Sequence, residues 1–184
     1  MSGARTYTPT QTRTISAALE LFARHGVGGT SLQMIADSLG VTKAAVYHQF
    51  KTKDEIVLAA AEAELGKLEA AIAAAEAEAS PSRSREVLTT HMIDLAIENR
   101  RSMSSVLSDP AIVGFFAKHE PFRLTMSRLN RVLMGEDAGP DARVPTALLI
   151  AAISGAVMHP LVVDLDDDTL RAQLLTLARR FLEG

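Results

Sequence analysis

Residues 40–50 read GVTKAAVYHQF, Gly40 to Phe50, and the fold turns on what this stretch is for. It sets one of only two tyrosines in a chain without tryptophan beside a histidine, four residues after a lysine, on a segment barely two turns long. Outward from Gly40, Ala36 lies four residues before it and Val46 six after it. A small residue, a glycine at +4 and a β-branched apolar residue at +10 is the spacing of a helix-turn-helix: Ala36 lets two helices approach, Gly40 makes the turn and Val46 packs inward. The second helix of such a unit enters the major groove of DNA. Tyr47 and His48 then end a recognition helix and are expected to bond phosphates.

The flanks agree. Thr8-Pro9-Thr10-Gln11 is a helix start, with a threonine cap, proline at the first position and Gln three residues after the cap. Ile15, Ala18, Leu19 and Phe22 then form one apolar stripe that stops at Gly26, and a loop is expected from Gly26 to Gly29. Thr30-Ser31-Leu32-Gln33 opens a second helix, ended by Gly40, and Thr42 caps a third, to about His48. Thr52-Lys53-Asp54-Glu55 opens a long alanine-rich helix reaching about Ala79, for which the residues suggest no role beyond helix formation. After a break at Ser80-Pro81-Ser82, helices are expected from Arg85 to about Leu107, after Asp109-Pro110, from Pro121, from Arg143 to Val157 and from Asp167 to Leu182. No strand-like alternation occurs. The expectation is an all-α chain of nine helices: a helix-turn-helix DNA-binding domain over residues 1–53 and a helical domain over 54–184.

Composition narrows the partners. The net charge of −3 divides into +4 over residues 1–53 and −7 over the rest, so the front is the part that meets a polyanion. There is no cysteine, which excludes disulfides and thiolate metal sites and fits the cytoplasm. The apolar run from Val144 to Val163 is interrupted by Pro145 and His159-Pro160 and reads as buried helix rather than membrane span, and no signal peptide opens the chain. No nucleophile elbow, phosphate loop or dinucleotide fingerprint is present, so no enzyme is expected and no cofactor is called for. His91, Asp94 and Glu98 share a helical face that His119 could join, but without tight ligand spacing no metal is assigned.

The run Leu21-Phe22, Gly26, Thr30-Ser31, Ile35-Ala36, Leu39-Gly40-Val41, Val46-Tyr47-His48-Gln49-Phe50 and Lys53 resembles the DNA-binding head of the TetR (tetracycline repressor) family of bacterial transcriptional regulators. The resemblance covers residues 10–60; the remainder of the chain is similar to that family's ligand-binding and dimerisation domain only in helix number and lengths. It implies that Thr30 or Ser31 caps the second helix near a phosphate, that Thr42, Lys43 and Ala44 face base edges, and that Tyr47, His48 and Lys53 hold the DNA backbone. Lys43 is the candidate for reading guanine, and Ala44 or Ala45 for a thymine methyl. With two alanines on the helix, DNA shape is expected to share the discrimination. The residues leave plainer roles open, with Tyr47 as a core aromatic and Lys53 as a solvated helix-start residue.

The rest of the chain says less. Ile112, Phe115, Phe116, His119, Phe122 and Met126 recur at helical spacing and, with Met92 and Met103, are candidates to line an apolar ligand pocket, ordinary core being the alternative. Leu148, Ala152 and Gly155 on one late helix and Leu170, Leu174, Leu177 and Phe181 on the other are candidates for a dimer interface. The resemblance implies a four-helix bundle there about a two-fold axis. The reading is a homodimeric, ligand-responsive repressor on a palindromic DNA operator, released by an apolar small-molecule effector. Two alternatives remain: a DNA-binding adaptor without a small ligand, and a helical enzyme or carrier whose basic front is incidental.

Overall fold

The computed structural model describes residues 7–100, 119–135 and 139–183. Among the described residues are eight α-helices, two single-turn 3-10 helices and no strand. The helices are α1 (Pro9–Gly29), α2 (Leu32–Leu39), α3 (Lys43–Gln49), α4 (Lys53–Glu76), α5 (Pro81–Asn99), α6 (Glu120–Met134), α7 (Arg143–Ala156) and α8 (Asp167–Glu183). The 3-10 turns are Pro140–Ala142 and Pro160–Val162. Eight of the nine expected helices are thus present; the one expected after Asp109-Pro110 lies outside the described residues, as do Met103, Phe115 and Phe116. The described residues form two compact units that divide after residue 66, inside α4, and not at the expected boundary of 53. The reason is burial: Ile56, Val57, Ala59 and Ala60 of α4 are core residues of the first unit, whereas Ala71, Ile72 and Ala75 are core residues of the second.

In the first unit, α1 opens with a full capping box. Thr8 Oγ1 accepts from the Gln11 N–H, and the Gln11 side chain accepts from the Thr8 N–H, with Pro9 at the first helical position. Gly26 breaks the helix at φ 71°, as its position in the sequence implies, but one further helical turn follows to Gly29 in place of the expected loop. Two groups secure that turn. Thr30, 2% exposed, donates its hydroxyl to the Gly26 carbonyl, and Lys53 Nζ donates to the Val27 carbonyl at 2.7 Å. Gly40 closes α2 at φ 66°, its N–H directed at the Ala36 and Asp37 carbonyls; a left-handed cap is where a residue with a Cβ would be strained.

In the second unit, α5 starts at Pro81 and not at Arg85. Ser80 caps it by accepting from the Arg83 N–H, so Ser80-Pro81 repeats the Thr8-Pro9 device where the sequence reads as a break. Two apolar clusters build the core of this unit. One joins Ala71, Ile72 and Ala75 of α4, Leu88 of α5, and Leu129 and Leu133 of α6. The other joins Ile93 and Ile97 of α5, Leu149, Ile153 and Val157 of α7 and its end, and Leu170, Leu174 and Ala178 of α8. Arg100, whose side chain is 7% exposed, ties the end of α5 to the start of α8 through Asp167 Oδ1 at 2.6 Å and the Leu165 carbonyl at 3.0 Å. No described helix is long and apolar enough to cross a membrane, and the run from Val144 ends its α-helix at Ala156.

Arg128 chelates Glu76 with bonds of 3.2 and 2.6 Å, linking α6 to α4 and holding the Glu76 carboxyl below the usual carboxylate range. Both side chains are more than a third exposed, so the pair contributes at most about 1 kcal/mol after solvent screening. Because the folded value is lowered, the contribution is complete at neutral pH and is lost as pH falls through that value. Arg128→Gln should therefore lower the melting temperature at neutral pH and have no effect in strong acid. Equal shifts at both would assign the loss to packing of the arginine stem instead.

Candidate nucleic-acid interface

A helix of seven residues does not hold itself together in water. α3 persists because each end is tied. At its start Thr42 Oγ1 accepts from the Ala45 N–H at 3.2 Å, and at its end the Phe50 N–H reaches the Val46 carbonyl. Val46 is fully buried and Phe50 is 4% exposed. Between these anchors Thr42, Lys43, Ala44, Tyr47 and His48 are all exposed, and Tyr47 is 50% exposed, which removes the core-aromatic reading. At about 100° per residue, Lys43, Tyr47, Ala44 and His48 fill one arc of about 140° facing away from Val46. The structure brings these four onto a single outward surface. The Thr42 hydroxyl, although it accepts the capping bond, keeps its own proton to donate.

Two expected DNA contacts are placed differently. Thr30 is buried and its hydroxyl is engaged with Gly26, so Ser31 alone is the cap: Ser31 Oγ accepts from the Met34 N–H at 3.2 Å and is exposed. Lys53 is half-buried, and its ammonium satisfies carbonyls at the end of α1, Val27 at 2.7 Å and Gly28 at 3.4 Å. One surface cation is missing from the sequence expectations. Lys51 Nζ sits 4.5 Å from the centroid of the Tyr47 ring, a cation–π pair that orders both groups on the exposed side of α3. The sequence carries a signal for it, since Tyr47 and Lys51 are four residues apart.

In the second unit, Met92 is half-buried against both apolar clusters and Met126 against that of α4, α5 and α6. Phe122 and His119 are half-buried at the start of α6. A cavity of about 180 Å³ lies elsewhere in this unit, lined by Arg85, Leu133, Met134, Ala142, Pro145, Thr146, Leu149, Phe181 and Leu182, none of them among the expected pocket residues. The two carboxylates that share a helical face with His91 are engaged by cations of the chain itself: Asp94 by Arg171 at 2.6 Å and Glu98 by Lys67 at 3.0 Å.

The expected dimer residues divide in two. Leu148 is 58% exposed, Leu177 60% and Phe181 44%, and Ala152 and Gly155 are exposed beside Leu148. Leu170 and Leu174, by contrast, are 2% and 9% exposed because they pack on Ile93, Leu149 and Ile153 within the same chain. Their burial belongs to the core of this chain. Val144, 65% exposed, joins the outward stripe one turn before Leu148.

Residues 15–60 match the family model for bacterial regulatory proteins of the tetR family. The chain is 33% identical over 97 residues to the HTH-type transcriptional regulator AcrR of Shigella flexneri, an alignment covering 51% of this chain and 45% of that protein. Its alignments thus span less than half the length of these curated relatives. Across the whole length the fold is similar to that of a tetR-family regulatory protein from Rhodococcus RHA1, with a TM-score of 0.72 at 22% identity over 96% of this chain and 98% of that one. It is similar also to the ketosteroid transcriptional regulator KstR2 of Mycobacterium tuberculosis, with a TM-score of 0.72 at 18% identity over 100% and 98% of the two chains.

Proposed function

We propose that this chain, whose head belongs to the tetR family of bacterial regulatory proteins, is a transcriptional repressor that grips a palindromic operator as a homodimer and is released by an apolar small molecule. One observation carries the reading: α3 turns Lys43, Ala44, Tyr47 and His48 outward while Val46 alone within it is fully buried. The +4 charge of residues 1–53 supplies the attraction to phosphate, and the exposed stripes of α7 and α8 supply a self-complementary surface that pairs two heads. Release is a population shift, the ligand favouring a dimer whose heads no longer span two half-sites.

Selection of bound duplexes from a random pool, repeated at two salt concentrations, tests the DNA assignment. A palindrome should be enriched, and affinity should fall steeply as salt rises. Lys43→Ala should cost roughly 1–3 kcal/mol at one base position and relax preference there. Tyr47→Phe should weaken all sequences alike by about 1.5–3 kcal/mol, the value of one hydrogen bond to a charged phosphate. An unchanged preferred sequence in Lys43→Ala would move base reading to another residue.

The packing of Met92 and Met126 against the apolar clusters favours a second reading of the body, a DNA-binding adaptor without a small ligand. A thermal-shift screen against steroids and other apolar compounds separates the two, because a ligand bound to the folded state must raise the melting temperature. A KstR2-like fold, in a protein described as a ketosteroid regulator, makes apolar compounds the place to start.

A further inference from the structure

Val46 is the one fully buried side chain within α3 and Phe50 is buried at its cap, and apolar burial at two points fixes where a helix sits better than how it is rolled. Roll matters here. At a radius of about 5–6 Å, a rotation of about 20° carries a side-chain tip about 2 Å, more than the width of a hydrogen-bond distance range. Something directional must therefore hold α3 in register, and the candidate lies on its inner face. Gln49 Nε2 donates to the Ala45 carbonyl at 3.3 Å, which leaves Oε1 as an acceptor. That oxygen receives the Thr14 hydroxyl of α1 at 3.0 Å. Thr14 is 1% exposed, and its other neighbour, the Thr10 carbonyl at 3.1 Å, competes for the same proton.

Around the helix, Val46 and Gln49 stand about 60° apart, straddling the point opposite the centre of the arc that carries Lys43, Ala44, Tyr47 and His48. Gln49 also lines a cleft of about 490 Å³ with Tyr7, Gln11, Glu55 and Leu58. The side chain thus borders open space on that side, and the hydrogen bond is the directional contact that ties it to α1. We infer that Thr14 and Gln49 form a clasp that sets the roll of α3, and with it which side chains meet base edges. They are positioning residues with no DNA contact of their own. The inference rests on the regulator reading for its consequence, and on the hydrogen bond alone for its mechanism.

The test takes the full-length chain and makes two measurements: amide hydrogen exchange over residues 43–49, and affinity for the selected operator against a random duplex. Thr14→Val removes the hydroxyl at nearly constant volume, Gln49→Met removes the amide from the other side, and Thr14→Ser keeps the hydroxyl. The two disruptive variants should speed exchange in α3 and weaken operator binding roughly five- to tenfold, the worth of one hydrogen bond, with random-duplex affinity and salt dependence unchanged. The double variant should be no worse than either single one, and Thr14→Ser should behave as the parent. Equal losses on both duplexes would reduce the pair to a stabilising contact and overturn the inference, as would unchanged exchange. A parent chain without operator preference would sink the regulator reading instead, while the exchange comparison would still decide the clasp.

Discussion

Leu148→Asp combined with Leu177→Asp should leave a folded chain that sediments as a monomer and binds its operator about 10²–10⁴ times more weakly, because linked heads gain that much from effective concentration. The premise is exposure. Leu148 and Leu177 are 58% and 60% exposed, so aspartates there cost little in an isolated chain but would place charges in the apolar contact proposed between two copies. Val144, Leu148, Ala152 and Gly155 fall on one side of α7, opposite Leu149 and Ile153, which are buried. After Arg143 the helix has no charged residue to solvate its outer side. Leu170→Asp is the control of opposite kind: at 2% exposure it sits in the core of its own chain and should unfold that unit and not merely separate two copies. A double variant that still sediments as a dimer would put the interface elsewhere; a monomer with parental operator affinity would break the link between pairing and recognition.

That contrast also marks what the sequence can and cannot carry. Leu170, Leu174, Leu177, Ala178 and Phe181 fall within about 100° of the α8 surface, a single stripe by spacing. Spacing says that this side avoids water; it does not say which edge the chain covers itself. Only packing against α5 and α7 divides the stripe into buried Leu170 and Leu174 and outward Leu177 and Phe181. The head is legible for the reason that the body is not. Its turn, caps and buried alanine are local, and Ala36, Gly40, Thr42 and Val46 each constrain the next few residues. The expectation that Thr30 and Lys53 meet the DNA backbone comes from the family resemblance and not from any local pattern of their own. What the spacing lacks is the extra turn to Gly29, near which the Gly26 and Val27 carbonyls accept from Thr30 and Lys53. The Thr14–Gln49 bond spans 35 residues, and no local pattern announces it.

Phe22→Ala should cost about 3–5 kcal/mol, the usual range for a phenylalanine removed from a closed interior. Phe22 is 0% exposed on α1, and the other buried side chains of its unit include Ile15, Ile35, Val46 and Ile56. A unit of this size draws little more than about 3–5 kcal/mol from its core, so the loss is comparable to its whole stability. Operator binding should then disappear at ordinary temperature, and amides of α2 and α3 should exchange at nearly unprotected rates. Dimerisation should survive, because both apolar clusters of the second unit are built from residues 71–178 and contain no part of α1. Sedimentation and hydrogen exchange on the same sample therefore give opposite answers if the division after residue 66 is a division of stability as well as of contact. Loss of dimer and loss of DNA binding together would mean that α4, shared by both units, transmits unfolding from one to the other. Retained operator binding would mean that α1, α2 and α3 collapse into the space Phe22 leaves without turning α3 out of register.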